Sequence, residues 1–207
     1  GSLVVKLSDK VIANVPLPSG KTGFSAVATS NHLIVAVATN APNDKQPAGF
    51  TITENGKITA LTASIADSVQ SATSYTGSKG FLDQENNFLS INCQTTTCTL
   101  TSLNLTSGTT TPITSLGYTA STTPAAGLAP TSIALLGIDQ HDVAYLQNYS
   151  QNSTADPVGT LVSIDLTSGS TTKSLNMPQA ATVPPAFSRD FSHALFTQSQ
   201  DNATGNL

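Results

Sequence analysis

Apolar and polar positions alternate along this chain in short runs, and the runs come in pairs joined by a turn that usually carries glycine. The clearest pair is residues 161–172, where Val162, Ile164 and Leu166 alternate with Ser163, Asp165 and Thr167 ahead of Ser168-Gly169. Side chains of a strand point to opposite faces at every second residue, so this pattern predicts a β-hairpin with one buried face. Residues 100–111 repeat it almost position for position, with Leu103-Asn104-Leu105-Thr106-Ser107-Gly108 in place of Ile164 to Gly169. A looser copy at 50–58 turns at Asn55-Gly56, and a fourth at 3–12 opens the chain.

Ahead of three of these hairpins lie two further apolar runs. They are 23–28 and 33–38, then 79–83 and 88–92, then 132–138 and 143–147. Each set of four predicts one four-stranded antiparallel unit. The last two runs, 185–188 and 193–197, have no hairpin after them, while the hairpin at 3–12 has no runs before it. The two ends are therefore complementary halves of one unit.

Radial repetition of four-stranded sheets is the β-propeller plan, and pairing the two chain ends removes the exposed strand edges that invite aggregation. The expected fold is all-β: a single propeller domain over 1–207, with blades at about 20–63, 64–117, 118–178 and 179–207 plus 1–18. The N-terminal hairpin closes the fourth blade. Ile164-Asp165-Leu166-Thr167-Ser168-Gly169 resembles the outer hairpin of the β-propeller class with WD40-like or YVTN-like blades, and Phe187-Ser188-Arg189-Asp190 resembles its inner strand and turn. The Trp-Asp and Gly-His pairs of WD40 repeats are absent. Most members of that class have more blades, so a fragment of a larger propeller is one alternative. A β-sandwich is the other.

Composition narrows the partners. Charged residues are 10% of the 207, the net charge is −4, and the eight Lys and Arg residues are scattered, so nucleic acid is not expected. No apolar run approaches the roughly 20 residues of a membrane span, so no membrane insertion is expected. The chain begins Gly1-Ser2 without Met, which reads as a cloning remnant on a mature protein or an excised domain.

Two cysteines, Cys93 and Cys98, flank residues 94–97 between two strand-like runs, where a hairpin brings them face to face as a disulfide. Asn-x-Ser/Thr sequons begin at Asn104, Asn148, Asn152 and Asn202. Together they predict a secreted or cell-surface glycoprotein.

Candidate chemistry is sparse. His32, His141 and His193 recur at the turn between first and second strands, with Asn87 in the remaining unit, and Asp83, Asp139 and Asp190 recur beside them. Imidazole and carboxylate suit divalent metals, but aspartate at a turn also caps backbone N–H groups unaided. Turn capping is the reading adopted. Ser19-Gly20-Lys21-Thr22 lacks the earlier glycine of a phosphate loop, and no Gly-x-Ser-x-Gly elbow occurs. No catalytic residue, cofactor or metal is assigned.

The connections are uneven. Those at 39–49, 62–77, 93–98, 117–130, 148–159 and 198–206 are long beside the turns at the other end of each unit, and Tyr75, Tyr118 and Tyr149 fall among them. Tyrosine supplies apolar area and a hydroxyl together, which suits recognition. The expected function is an extracellular recognition or adhesion module binding a protein or glycan ligand through the long-loop face. A propeller hydrolase or lactonase with an axial metal is an alternative, and a fibre or matrix subunit self-associating by strand exchange is another.

Overall fold

The computed structural model describes residues 1–30, 32–40, 46–76, 80–94, 97–116, 133–150, 158–176, 186–188 and 193–195. The chain divides into two compact units, 1–90 with 101–111, and 91–100 with 112–207. Strands dominate both.

The N-terminal hairpin pairs β1 (Ser2–Leu7) with β2 (Lys10–Pro16), with a bulge at Val5/Lys6. A four-stranded sheet follows in the order β3 (Lys21–Thr29), β4 (Leu33–Asn40), β5 (Gly49–Thr53), β6 (Ile58–Ala60). After the helix α1 (Ala63–Thr76) come β7 (Phe81–Leu82), β8 (Phe88–Gln94), β9 (Thr97–Leu103) and β10 (Thr110–Ser115), again neighbours in chain order. The third such sheet is β11 (Ile133–Ile138), β12 (Val143–Ser150), β13 (Val158–Asp165) and β14 (Thr171–Asn176). Last is a two-stranded pair, β15 (Ala186–Phe187) with β16 (Ala194–Leu195). Among the described residues the strands thus form three up-and-down four-stranded sheets and two two-stranded ones. Among the described residues no strand pairing joins β1 or β2 to β15 or β16.

The registers show how closely the units repeat. Leu33 pairs with Thr53 and Val143 with Asp165; Ala36 pairs with Phe50 and Leu146 with Val162. The first strands share an irregularity at the same place, between Ala26 and Ala28 in β3 and between Leu135 and Gly137 in β11. A bulge inserts one residue and shifts the alternation of side chains, so its recurrence fixes the alignment of the two sheets.

One hydrophobic core lies in the first unit, where Val35, Val37, Leu82, Phe88 and Leu103 pack with Ile65 and Val69 of α1. A second cluster joins Val5, Ala13 and Val15 of the N-terminal hairpin to Ile52, with Phe24, Ile34 and Phe50 packed against it.

Three expectations from the sequence are corrected by the structure. The stretch 62–77, expected to be a loop, is mostly the helix α1. It is capped by Thr62, whose hydroxyl accepts from the Ile65 N–H at 3.3 Å, and it buries Ile65, Ala66 and Val69 along one face. Its apolar stripe is short and set among Ser, Thr and Ala, so the helical period is faint. Next, the long connections at 93–98 and 148–159 shrink. Strands β8 and β9 leave only residues 95–96 between them, and β12 runs to Ser150 before β13 begins at Val158. Finally, the alternation read through Leu166 and Thr167 overruns its strand, since β13 ends at Asp165 and β14 begins at Thr171. The Asp165 N–H donates to the Ser170 carbonyl at 3.0 Å, the Gly169 N–H donates to the Asp165 carbonyl at 2.8 Å, and Gly169 sits at φ 68°. That left-handed position is what glycine permits.

Candidate functional site

The turns between first and second strands share one bonding scheme four times over. The backbone N–H groups of Ser30, Asp83, Asp139 and Ser188 donate to the carbonyls of Leu33, Asn87, Val143 and His193 at 2.8, 3.1, 3.0 and 3.0 Å. The side-chain oxygens of the same four residues then cap the turn. Ser30 Oγ accepts from His32 N and Leu33 N, Asp83 Oδ1 from Asn87 N, Asp139 Oδ1 from His141 N and Val143 N, and Ser188 Oγ from His193 N. Serine and aspartate do one job here, which is why a search for recurring aspartates alone finds half the set. Asp190 lies outside the described residues, and Ser188 holds the position assigned to it. His32 faces Glu54, with Nδ1 3.1 Å from Oε2, on an exposed surface. Among the described residues no group of three His, Cys, Asp or Glu side chains is placed to hold a metal ion.

The outer turns close in the same manner. Thr53 Oγ1 accepts from Lys57 N, Asn104 Oδ1 from Thr106 N and Ser107 N, and Asp165 Oδ1 from Ser168 N at 2.7 Å. These bonds have an electrostatic consequence at Asp165. The Ser168 N–H and then the Ser168 hydroxyl favour its carboxylate form and hold its pKa below the ordinary aspartate value. A depressed carboxyl contributes stability that is present above the unfolded pKa, about 3.9, and is lost as pH falls through the folded one. The Asp165 carboxyl is therefore expected to titrate below the ordinary aspartate range in an NMR titration, and Asp165→Asn to flatten the loss of Tm below about pH 4. A measured pKa at or above the ordinary value would refute this account of the turn. Tyr145 moves the other way: partial burial first, and then the Asp139 carboxylate that accepts its hydroxyl at 3.1 Å, raise its pKa.

The structure does not gather the three candidate tyrosines into described loops. Tyr75 lies in the last turn of α1 and Tyr149 in β12, where it pairs with Gly159, while Tyr118 is outside the described residues. Asn148 also lies in β12, opposite Ile133 and Thr160, and not in a loop. Asn152 and Asn202 are outside the described residues. Asn104 is exposed in its turn, and its Nδ2 donates to Asn87 Oδ1 at 3.1 Å. Cys98 is buried in β9 and is not a free thiol. Cys93 is placed in β8 by its backbone.

One feature of the third sheet gave no sign in the sequence. Gln147 is 1% exposed, and among the described residues neither its amide nitrogen nor its amide oxygen has a hydrogen-bond partner. The aligned position in the first sheet is Val37. A buried, unpaired amide costs about 1–3 kcal/mol, so this face is built at a disadvantage that a valine would avoid.

No family model matches the chain, and no curated protein matches it. Solved structures resemble it weakly. A Pyrococcus horikoshii acylaminoacyl peptidase shares 10% identity over 75% of this chain and 25% of its own, with a TM-score of 0.43. An acylaminoacyl peptidase in complex with Z-Gly-Gly-Phe-chloromethyl ketone shares 11% over 76% and 25%, at 0.44. The β-propeller domain of the Trilobed protease from Pyrococcus furiosus, described as having an open velcro topology, shares 12% over 82% and 47%, at 0.44. The chain thus spans a quarter to under half of the structures it resembles. Likeness at these scores is too slight to assign a function, and the strand pairing of this chain is the firmer ground.

Proposed function

We propose that this chain is a recognition module of the propeller type, secreted or displayed at a cell surface, which binds a protein or glycan at the end of its sheets opposite the capped turns. One observation carries the reading. In each sheet the turns from first to second and from third to fourth strand are closed by their own Ser, Thr, Asn or Asp side chains, so that end acts as scaffold. Strands β4, β10 and β12 end, and β5, β11 and β13 begin, at the other end, where recognition is commonly placed on a rigid frame.

The four-blade arrangement belongs to the same proposal, and its support is a repeated contact. A Cβ on Gly56 would lie 2.0 Å from the Ile12 carbonyl oxygen, and a Cβ on Gly169 would lie 2.6 Å from that of Ile113. Strand β2 thus stands against the first sheet as β10 stands against the third. Since β10 is an outer strand of the sheet before, β2 is read as the outer strand of a blade whose inner strands are β15 and β16.

The Cys93–Cys98 disulfide is likewise proposed. Ser90 and Thr101 face each other across β8 and β9, their hydroxyls 3.2 Å apart, and the same antiparallel register carried three residues on puts position 93 opposite 98.

The test is binding of the purified chain to a glycan array and to intact cells, with Tyr118→Ala and Tyr149→Ala compared against Asp139→Ala in a capped turn. Saturable binding that drops at least tenfold in a tyrosine variant of unchanged Tm, and survives Asp139→Ala, is the expected result. Binding that follows the capped turn and ignores both tyrosines would place recognition at the wrong end and refute the reading.

A further inference from the structure

The turn between β5 and β6 holds the chain's single Asn-Gly pair, Asn55-Gly56; every other asparagine is followed by a residue that bears a side chain. Asn55 is exposed, and its side chain is folded back on its own turn. Its Oδ1 accepts from the Lys57 N–H at 3.3 Å and from the Thr53 hydroxyl. A bond to the N–H two residues on closes an Asx turn, which carries the side-chain carbonyl carbon, Cγ, over the intervening peptide nitrogen, here that of Gly56.

This is the arrangement for an internal reaction. The Gly56 nitrogen gives up its proton to solvent and attacks Cγ. The bond from Cγ to Nδ2 breaks, Nδ2 takes a proton from water and leaves as ammonia, and a cyclic imide now joins Cγ to the Gly56 nitrogen. Charge developing on Oδ1 during attack is met by the two donors already in place. The attack sacrifices the bond that the Gly56 N–H donates to the Thr53 carbonyl at 2.9 Å. Water then opens the imide at either carbonyl. Opening at Cγ gives aspartate, whereas opening at the main-chain carbonyl leaves the chain running through Cγ as isoaspartate, longer by a methylene.

Asn104 is the contrast within the same unit. Its Oδ1 accepts from the Thr106 N–H at 3.0 Å and the Ser107 N–H at 2.9 Å, so it too forms an Asx turn. Its neighbour, however, is Leu105, whose side chain crowds the peptide nitrogen, and its Nδ2, the group that would leave, is held by Asn87 Oδ1 at 3.1 Å.

What Gly56 touches sets the consequence. At φ 82° it lies so close to β2 that a Cβ would fall 2.0 Å from the Ile12 carbonyl oxygen. A main chain lengthened just before Gly56 cannot keep both the turn and that contact, and the hairpin resting there holds Val5, Ala13 and Val15 against Ile52. We infer that Asn55 is a site of spontaneous modification, at which cyclisation on Gly56 and opening to isoaspartate release the N-terminal hairpin from the first sheet. The site lies among the capped turns and is independent of the recognition reading.

The test is ageing of the full chain in mildly alkaline buffer, followed by peptide mapping and by enzymatic methylation of isoaspartyl carboxylates. Asn55 is expected to convert about tenfold faster than Asn104, one decade in rate constant. The aged chain is expected to show faster hydrogen exchange in β1 and β2 and a Tm lower by about 5 °C. Asn55→Ser retains an oxygen for the turn but has no amide to cyclise, and should keep its Tm and its exchange protection over the same interval. Freshly prepared Asn55→Asp carries the product's charge without the longer main chain, and should also keep the hairpin protected. Conversion of Asn55 no faster than that of Asn104 overturns the site. Loss of hairpin protection in aged Asn55→Ser or in fresh Asn55→Asp overturns the link between chain lengthening and release, as does isoaspartate at position 55 with β1 and β2 still protected.

Discussion

Gly56→Ala is expected to destabilise the chain by about 3–5 kcal/mol and to release the N-terminal hairpin, with the loss read as a lower urea midpoint and faster hydrogen exchange in β1 and β2. Gly56 sits at φ 82°, a left-handed conformation that costs a side-chain-bearing residue roughly 1–2 kcal/mol by itself. The new Cβ would also stand 2.0 Å from the Ile12 carbonyl oxygen and 3.0 Å from its carbon. Both obstacles are main chain, so no rotamer change relieves them. The hairpin must move, and Val5, Ala13 and Val15 then leave Ile52. Gly108→Ala is the control. It shares a left-handed φ of 76°, but its Cβ meets only the Ile65 side chain, at 3.2 and 3.5 Å, which can give way. Its cost is expected to stay near 1–2 kcal/mol, the conformational part alone. Equal losses in the two variants would defeat the argument that β2 is held by contact at Gly56.

Phe88→Ala is expected to cost about 3–5 kcal/mol, the range for removing a buried aromatic ring from a core that cannot collapse around the gap. For a chain of this length that corresponds to a fall in Tm of about 10 °C. Phe88 is 1% exposed and is held on every side: Leu82 and Leu103 lie in its own sheet, Val35 and Val37 in the sheet before, Ile65 and Val69 on α1. Gly80 lies against the ring so closely that a Cβ there would fall 2.0 Å from it. Since the same ring packs with α1, helical circular dichroism should weaken before the strand signal does as the variant is heated. A loss below about 1.5 kcal/mol would mean that the cluster repacks, and the core would be less specific than its burial implies.

Much of the architecture was legible because strands of a four-stranded antiparallel sheet carry a period-two signal and end at turns with recognisable residues. The hairpins at 3–12, 50–58, 100–111 and 161–172 all exist, each with its turn where glycine or a short polar group predicts it. The helix α1 did not announce itself, because Ile65, Ala66 and Val69 make too brief a stripe, and its place is set by packing against β4, β5 and Phe88. Loop lengths were overestimated for a related reason. Polar residues such as Gln94 and Asn148 continue a strand when its backbone is paired, and only the partner strand can say so.

The candidate site divides along the same line. Turn chemistry is local: an Asp, Asn, Ser or Thr oxygen reaches N–H groups two to four residues away, and Asp83 and Asp139 could be read as turn-forming from their neighbours. What sequence by itself determined is therefore the repeat, the strand pattern and the self-capped turns, since each depends on contacts within a few residues or within one hairpin. The orphaned amide of Gln147 and the contact of Gly56 with Ile12 were decided only by tertiary structure. Each is a relation between segments far apart in the chain, so no pattern within one hairpin can encode it.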